Sequence, residues 1–292
     1  MNLVLKRLED AKLLTVNREE GSGELVALDA HPLLREYFAT QLRRHEPEAW
    51  RAAHRRLYEH LCATTKDLPQ PTLEDLQPLY QAVAHGCQAE LQQEACEKVY
   101  RDRIQRGQEA YSGNKLGAMA SDLGAVACFF ERPWNRLSPA LTEAAQAWLL
   151  NEAAFTLRGL GRLTEALDPM RVATDWAASK KDWEHAAVDA SNLSELELTL
   201  GEVARAVGDA EQSVTYADRS GKAFGRLAFR TTHSDALHQA GRRAEVEARF
   251  REAEQMQAEH QPDYPLLYSH QGFVYCDLLL TEAERAAWAG YL

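Results

Sequence analysis

Imidazole is the side chain best suited to metal ligation and to proton transfer near neutral pH, and the chain carries ten of them. His54 and His60 stand six apart and His233 and His238 five apart, so neither pair brings two rings to one helical face. No GxSxG string occurs, and no Ser-His-Asp or Cys-His order marks a nucleophile. A phosphate-cradling GxxxxGKS or GxxxxGKT loop is missing too. The nearest string, Gly113-Asn114-Lys115-Leu116, lacks the leading glycine loop and the hydroxyl that would hold magnesium. Arg43, Arg44, His45, Arg51, His54, Arg55 and Arg56 form a basic cluster, but Glu46, Glu48 and Glu59 are interleaved with it, as on a solvated face. These residues give no catalytic constellation and no resident metal, so recognition is the chemistry left to explain.

The elements that would position recognition residues are written three times between Ala147 and Ala253. Gly161, Gly201 and Gly241 lie 40 residues apart, and five residues after each comes a small side chain, Ala166, Ala206 or Val246. Apolar residues recur at helical spacing on both sides of each glycine, as in Leu150, Ala153, Ala154, Leu157 and then Leu163, Ala166, Leu167, Met170, Ala173. Each unit therefore reads as two helices joined by a turn in which glycine takes the positive φ that ends the first helix. A side chain much larger than a methyl at Ala154 or Ala166 would overpack the crossing. Fixed-period self-similarity of this kind is the mark of a stacked array.

The run of apolar, small and aromatic residues followed by Gly161-Arg-Leu-Thr-Glu-Ala166 resembles the tetratricopeptide repeat, with a unit somewhat longer than the ~34 residues usual there. The third copy departs from that pattern at His233 and Ser234. The resemblance implies that the first helix of each pair lines the inner surface of a curved slab. Its outward positions are then Trp148, Asn151, Phe155 and Arg158, followed by Val188, Ser191, Glu195 and Leu198. The third and fourth helices add Ala228, Thr231, Asp235, His238 and Leu266, Ser269, Phe273, Asp277. Relatives that clamp a terminal carboxylate use several Lys, Arg and Asn on this surface. Here only Asn151 and Arg158 fit, so an internal peptide segment, a helix or another domain is the expected occupant. The competing reading buries Trp148 and Phe155 as ordinary core aromatics.

Composition sets outer bounds. Acidic residues number 44 and basic residues 33, a net charge of -11 that disfavours nonspecific attraction to nucleic acid or an anionic membrane face. Residues 1–66 hold 11 basic against 10 acidic residues, so the acidity lies beyond them. Five scattered cysteines with no CxxC suggest a reducing, cytoplasmic setting, and no apolar run approaches the ~18 residues of a membrane span.

Before the repeats, Asn2 to Leu13 reads as a short helix. Leu13 to Asn17 and Glu24 to Leu28 read as strands joined by a turn at Gly21-Ser-Gly23, and His31 to Leu42 reads as a helix capped by Asp29. Helix, two-stranded wing and helix make the later half of a winged helix whose opening helices are missing. Asp67-Leu-Pro-Gln-Pro71 breaks the helical pattern, which sets a partial winged-helix domain at 1–66, a linker at 67–71, degenerate repeats at 72–137 and full repeats at 138–292. In the degenerate region a helix beginning at Thr72 or Leu73, with Leu76, Leu79, Tyr80 and Val83 inward, pairs with Gln88 to Arg103, with Glu94-Ala95 at the repeat turn, and Lys115 to Phe130 forms one further helix. After the third repeat, Pro265 to Leu280 opens a fourth, and Thr281 to Leu292 closes the chain through Trp288, Tyr291 and Leu292 as a docked end or one lacking a cap. The expected fold is mainly α, a partial winged helix followed by an α-solenoid.

Leu28-Asp-Ala-His31-Pro-Leu-Leu-Arg-Glu-Tyr-Phe38 resembles the segment closing the winged helix of STAND-class signalling ATPases of the NB-ARC and NACHT kind. In that family's plant receptors a Met-His-Asp histidine contacts the β-phosphate of ADP, and His31 matches it, with Ala30 and Pro32 in place of Met and Asp. Tyr100-Arg-Asp-Arg-Ile, Lys115-Leu-Gly-Ala and Trp148-Leu-Leu-Asn-Glu-Ala-Ala look like repeat regions of bacterial members. The resemblance implies a non-enzymatic sensor module that binds a protein or peptide and answers to an upstream ATPase domain, with ADP or ATP held only by that domain. The rival is a winged-helix transcriptional regulator with repeats as its sensor. A titration with duplex DNA separates the two: the regulator requires affinity that falls steeply with salt, and the sensor module shows no such binding.

Overall fold

The computed structural model describes residues 2–19, 21, 23 and 25–290, and they fall into two compact units, Met1–Arg103 and Ile104–Leu292. In the first unit, α1 (Asn2–Asp10) leads into an antiparallel ribbon of β1 (Leu14–Arg18) and β2 (Leu25–Ala30), with Leu14 opposite Ala30 and Val16 opposite Leu28. Ser22 and Glu24 of the expected wing turn lie outside the described residues. Next come α2 (Pro32–His45) and α3 (Pro47–Thr64), each with proline in its first turn, where a missing N–H costs nothing. The cap of α2 is His31 and not Asp29. His31 Nδ1 accepts from the Leu33 amide at 3.3 Å, whereas Asp29 accepts from the Ala30 amide and faces Arg35 at 3.4 Å. The ribbon matches the expected two-stranded wing, with α1 and α2 on either side of it in the chain.

The proline segment 67–71 does not divide the chain. Helix α4 (Leu73–Gln88), opened by a reciprocal Thr72–Asp75 capping box, packs on α3. Arg103 then ties the connection down, donating to Asp67 at 2.7 Å and to the carbonyls of Cys62 and Thr65 at 3.0 and 2.7 Å. The break between units falls at Arg103–Ile104, where the expected boundary was the prolines. Helix α5 (Gln92–Glu94) continues without interruption as a wider π-helix, Ala95–Ile104. Gly86 allows α4 to close on these neighbours: a Cβ there would meet the Ala95 Cβ at 2.8 Å and the Tyr58 ring at 3.0 Å. Tyr58, Leu79, Val83, Ala95, Val99 and Tyr100 are buried around it, whereas α2 buries nothing.

In the second unit the single helix expected over Lys115–Phe130 is two. Gly117 at φ 62 ends α6 (Tyr111–Leu116), α7 (Met119–Ala127) follows, and a small hairpin of β3 (Phe130–Arg132) and β4 (Arg136–Leu137) turns at Trp134, φ 64. Six regular helices come next: α8 (Glu143–Gly159), α9 (Leu163–Ser179), α10 (Trp183–Thr199), α11 (Val203–Ser220), α12 (Ala223–Gln239) and α13 (Arg243–His260). Each packs on the one before it, and α12 also packs on α10. Gly161, Gly201 and Gly241 sit at the elbows of the three pairs in the left-handed region, as the repeat pattern requires. The structure adds two turns that the pattern did not disclose. Lys181 (φ 60) and Gly221 (φ 71) occupy the same conformation halfway between, so the backbone resets every 20 residues from 161 to 241. Glu90 (φ 62) repeats the device five residues before buried Ala95, which identifies α4 and the helix after it as a degenerate pair.

Ala166, Ala206 and Val246 are fully buried at the crossings. Ala206, Val207, Ala210, Ala236, Leu237, Val246, Phe250, Val274 and Leu278 form one continuous core from α11 to α14 (Ser269–Ala289). That last helix runs unbroken through Thr281, where a separate closing helix was expected. The sequence there has no glycine or proline, and the Thr281 hydroxyl donates back to the Asp277 carbonyl at 2.7 Å, so nothing stops the helix. Trp288 is 71% exposed; Tyr291 and Leu292 lie outside the described residues.

The turns give a stability prediction. A Cβ on Gly201 would meet no atom within 4 Å, so Gly201→Ala is opposed only by its φ of 77 and lowers stability by about 1 kcal/mol. Lys181→Gly relieves the same strain and raises it by a few tenths to about 1 kcal/mol, less the backbone entropy of glycine. Thermal melts of the two variants with opposite signs are expected; equal signs refute the turn assignment.

Candidate functional site

The candidate site lies on the first helices of the pairs, α8, α10, α12 and α14. Asn151, Phe155 and Arg158 all reach solvent on α8, and Phe155 is 61% exposed, which removes the reading of this ring as core. Trp148 is half-buried. On α14, Ser269 and Phe273 are exposed, the latter by 70%. Between them α10 and α12 are rotated relative to the expected face. Ser191 and Thr231, expected to face a partner, are buried: the Ser191 hydroxyl donates to Thr232 at 3.1 Å, and Thr231 donates to the Ala228 carbonyl. The cause is the packing of α10 against α12, which turns the small hydroxyl positions inward. Glu195, Asp235 and His238 remain half-buried and open to the face.

Rotation brings forward residues absent from the expected set. Asp189 and Asn192 of α10 join Asn151, Phe155 and Arg158 around a cleft of about 200 Å³ floored by Ala154, Met170 and Ala173. Their signal in the sequence was present but shifted, since each follows by one residue a position that had been assigned outward, Val188 and Ser191. His270 of α14 was likewise missed, and it electrostatically engages both Glu195 and Asp235.

The electrostatics of the face are dominated by carboxylates that are partly desolvated. Burial pushes Asp189 up to about 6, against a downward pull from His185. Glu195 is raised chiefly by burial, with His270 and Arg158 opposing the shift and Asp235 adding to it. Asp235 is raised for the same reason, opposed by a hydrogen bond from Gln239 and by His238, with Asp277 adding to the shift. His238 Nε2 lies 3.5 Å from Asp277 and 3.1 Å from the Thr281 hydroxyl. Acidic side chains thus run from α10 across α12 to α14, with Arg158 and two histidines among them.

Behind the face, polar contacts fix the helices that carry it. Ser194 donates to the Ala206 carbonyl at 2.8 Å and Ser213 to the Ala187 carbonyl at 2.9 Å, pinning α10 to α11 at two places. Arg230 grips Asp218 with two nitrogens at 3.0 Å each and Glu252 at 2.9 Å, joining α11, α12 and α13. Glu197, fully buried, pairs with Arg171 at 2.9 Å, and burial holds its carboxyl up at about 7. His233 is buried and its pKa lowered by desolvation, which keeps this departure from the repeat pattern neutral.

Elsewhere the expected chemistry is dispersed. The basic cluster loses two members to structure: Arg51 pairs with Glu90 at 2.8 Å, and His54 packs at a tilt against Trp50 while its Nδ1 meets His85 Nδ1 at 2.8 Å. His31 is exposed and engaged as the cap of α2. Among the described residues no group of three or more His, Cys, Asp and Glu side chains is arranged to hold a metal, and no helix is long and apolar enough to cross a membrane. Among the described residues no disulfide joins any of the five cysteines.

No family model matches the sequence, and no curated protein does. Among solved structures the chain is similar to a Podosopora anserina kinesin light chain protein with nearly identical TPR-like repeats. The identity is 17% over 79% of this chain and 98% of that one, at a TM-score of 0.43. A single-substitution variant of the same protein aligns at 16% identity over 80% of this chain and 99% of that one, also at 0.43.

The raised Asp189 makes stability depend on pH in a definite direction. Folding favours its protonated form, so its contribution is complete below the ordinary carboxylate range near 4 and is lost as pH rises towards about 6. Asp189→Asn therefore melts like the wild type near pH ~4 and at a higher temperature near pH ~7.5. Equal melting differences at both pH values count against the desolvated carboxylate.

Proposed function

We propose that the chain is a non-enzymatic recognition module whose first-helix face binds a segment of a protein partner. The observation that carries this reading is the pairing of two features on that face. Phe155 and Phe273 hold rings in water at its two ends, and Glu195 and Asp235 are half-buried between them, beside His238, which ties α12 to α14 through Thr281 and Asp277. Exposed rings cost hydration, and desolvated carboxylates cost more, so a surface that keeps both gains when a complementary segment covers it. Paired helices in tandem suit this role because they hold side chains from several elements in fixed register over a long surface.

The finer reading, a STAND-type switch in which this module reports to an upstream nucleotide domain, rests on the first unit. Leu3, Val4, Leu33, Tyr37 and Phe38 of α1 and α2 are each more than half exposed, which suits a docking face for another domain. In such a protein His31, with Nδ1 committed to the Leu33 amide, would offer Nε2 to a phosphate. The transcriptional-regulator alternative draws less support, since two members of the basic cluster are already engaged by Glu90 and His85.

Two measurements test these readings. Proteins cross-linked to the wild type in its native extract are compared with those captured by Phe155→Ala/Phe273→Ala, a pair of exposed positions whose loss leaves the fold intact. Selective loss of captured species by the variant is expected, and identical recovery of every species removes the groove. For the switch, ADP affinity of a chain that includes the ATPase domain falls on His31→Ala; unchanged affinity removes the sensor role.

A further inference from the structure

The face proposed above carries enough chemistry to specify what it holds, and this inference rests on that reading. Beside the acidic row lies an apolar recess built on one side chain. Phe224, at the start of α12, is 65% exposed and stands between two clefts. One, of about 340 Å³, is lined by Ala187, Val188, Phe224 and Phe229, with His260 and the Lys222–Glu184 ion pair, 3.7 Å long, also in its lining. The other, of about 230 Å³, is lined by Phe224, Leu227, Leu267, Tyr268 and His270.

His270 joins the recess to the acidic row. It lines the second cleft and at the same time acts electrostatically on Glu195 and Asp235. His270 therefore lies between the apolar recess and the acidic row, which stand about 16 Å apart along α12 from Phe224 to Asp235. The row holds Asp189, Glu195, Asp235 and Asp277, with Arg158 beside it. Asp189, Glu195 and Asp235 have each lost part of their water to the neighbouring helices, Asp235 regaining a 3.4 Å hydrogen bond from Gln239, and Asp277 faces His238 at 3.5 Å. An ammonium or guanidinium brought to the row would supply the missing charge-assisted hydrogen bonds.

We infer that the partner segment is cationic and carries a large apolar side chain several residues away from its basic residues, with Lys or Arg set against Glu195 and Asp235 and the apolar group seated at Phe224. The raised pKa of Asp189, Glu195 and Asp235 fits this occupant, because each is the signature of a carboxylate short of a counter-charge. An acidic segment would add like charge to a desolvated row, and a purely apolar one would leave the row buried and unpaired.

The test is selection of random peptides of about twelve residues displayed on phage against the intact chain. Recovered sequences are then measured as free labelled peptides by fluorescence polarisation on wild type, Glu195→Gln/Asp235→Asn, Phe224→Ala and Phe155→Ala/Phe273→Ala. Each variant is first checked for an unchanged helical spectrum and melt. As a control for general attraction to an acidic protein, Glu282→Gln/Glu284→Gln removes two charges from the exposed end of α14.

Enrichment of Lys or Arg together with a Phe, Trp or Leu several residues away is expected. Affinity should fall about tenfold on Glu195→Gln/Asp235→Asn and by a comparable factor on Phe224→Ala, with little change in the control. Recovery of acidic or neutral peptides whose binding is lost on Phe155→Ala/Phe273→Ala overturns the cationic class and leaves the groove standing. Cationic peptides that bind wild type and Glu195→Gln/Asp235→Asn alike, or that weaken equally in the control, also overturn it. Absence of any selected binder overturns both this inference and the groove.

Discussion

Close crossing of paired helices at alanine is the constraint on which the second unit depends. With Ala166, Ala206 and Ala210 at the contacts, neighbouring backbones approach until a serine hydroxyl on one helix reaches a carbonyl on the next, as Ser194 does at Ala206 and Ser213 at Ala187. Such an approach works only if each helix stops at the same height and the chain returns at once. The left-handed residues at 161, 181, 201, 221 and 241 provide that stop. Four of the five are glycine, and the fifth, Lys181, carries strain that the packing around it over-determines.

Alanine crossings alone would permit helices to slide, because small apolar surfaces specify register weakly. Polar contacts remove that freedom. Arg230 joins Asp218 and Glu252 from the helices on either side, and Arg171 meets buried Glu197 across a pair. Breaking one partner of such a buried pair leaves a charge in low dielectric, so a slipped register is strongly disfavoured. The same rigidity fixes Glu195, Asp235 and His238 on the first-helix face, which lets three helices act as one surface.

Much of this was readable from the residues, and the misreadings have physical causes. Gly161, Gly201 and Gly241 announced their turns because glycine accepts positive φ without a Cβ penalty. Lys181 announced nothing, since a lysine in that conformation is set by tertiary packing and not by its own preference. The cap at His31 was assigned to Asp29 for a similar reason: aspartate is the commoner cap, yet here the ring nitrogen lies nearer the free amide of Leu33. On the candidate face Arg158 stands in solvent as expected, Phe155 resolves to solvent between its groove and core readings, and Ser191 and Thr231 turn inward against expectation. An A-helix between two others shows a narrower outer strip than one near the end of the array, and hydroxyls as small as these pass for either side. The proline segment 67–71 misled because prolines end helices without ending domains, and Arg103 closes the gap with three hydrogen bonds.

Stability in such an array comes from neighbours, so it should vary along the chain with the number of faces each helix has covered. Native-state hydrogen exchange resolved to single helices measures that variation directly. Slowest exchange is predicted in α10, α11 and α12, which are packed on several sides, and faster exchange in α1 and in the second half of α14, which stand largely in solvent. Uniform protection along the chain, or an α14 terminus protected as strongly as α10, would contradict the picture of helix pairs that hold one another in place.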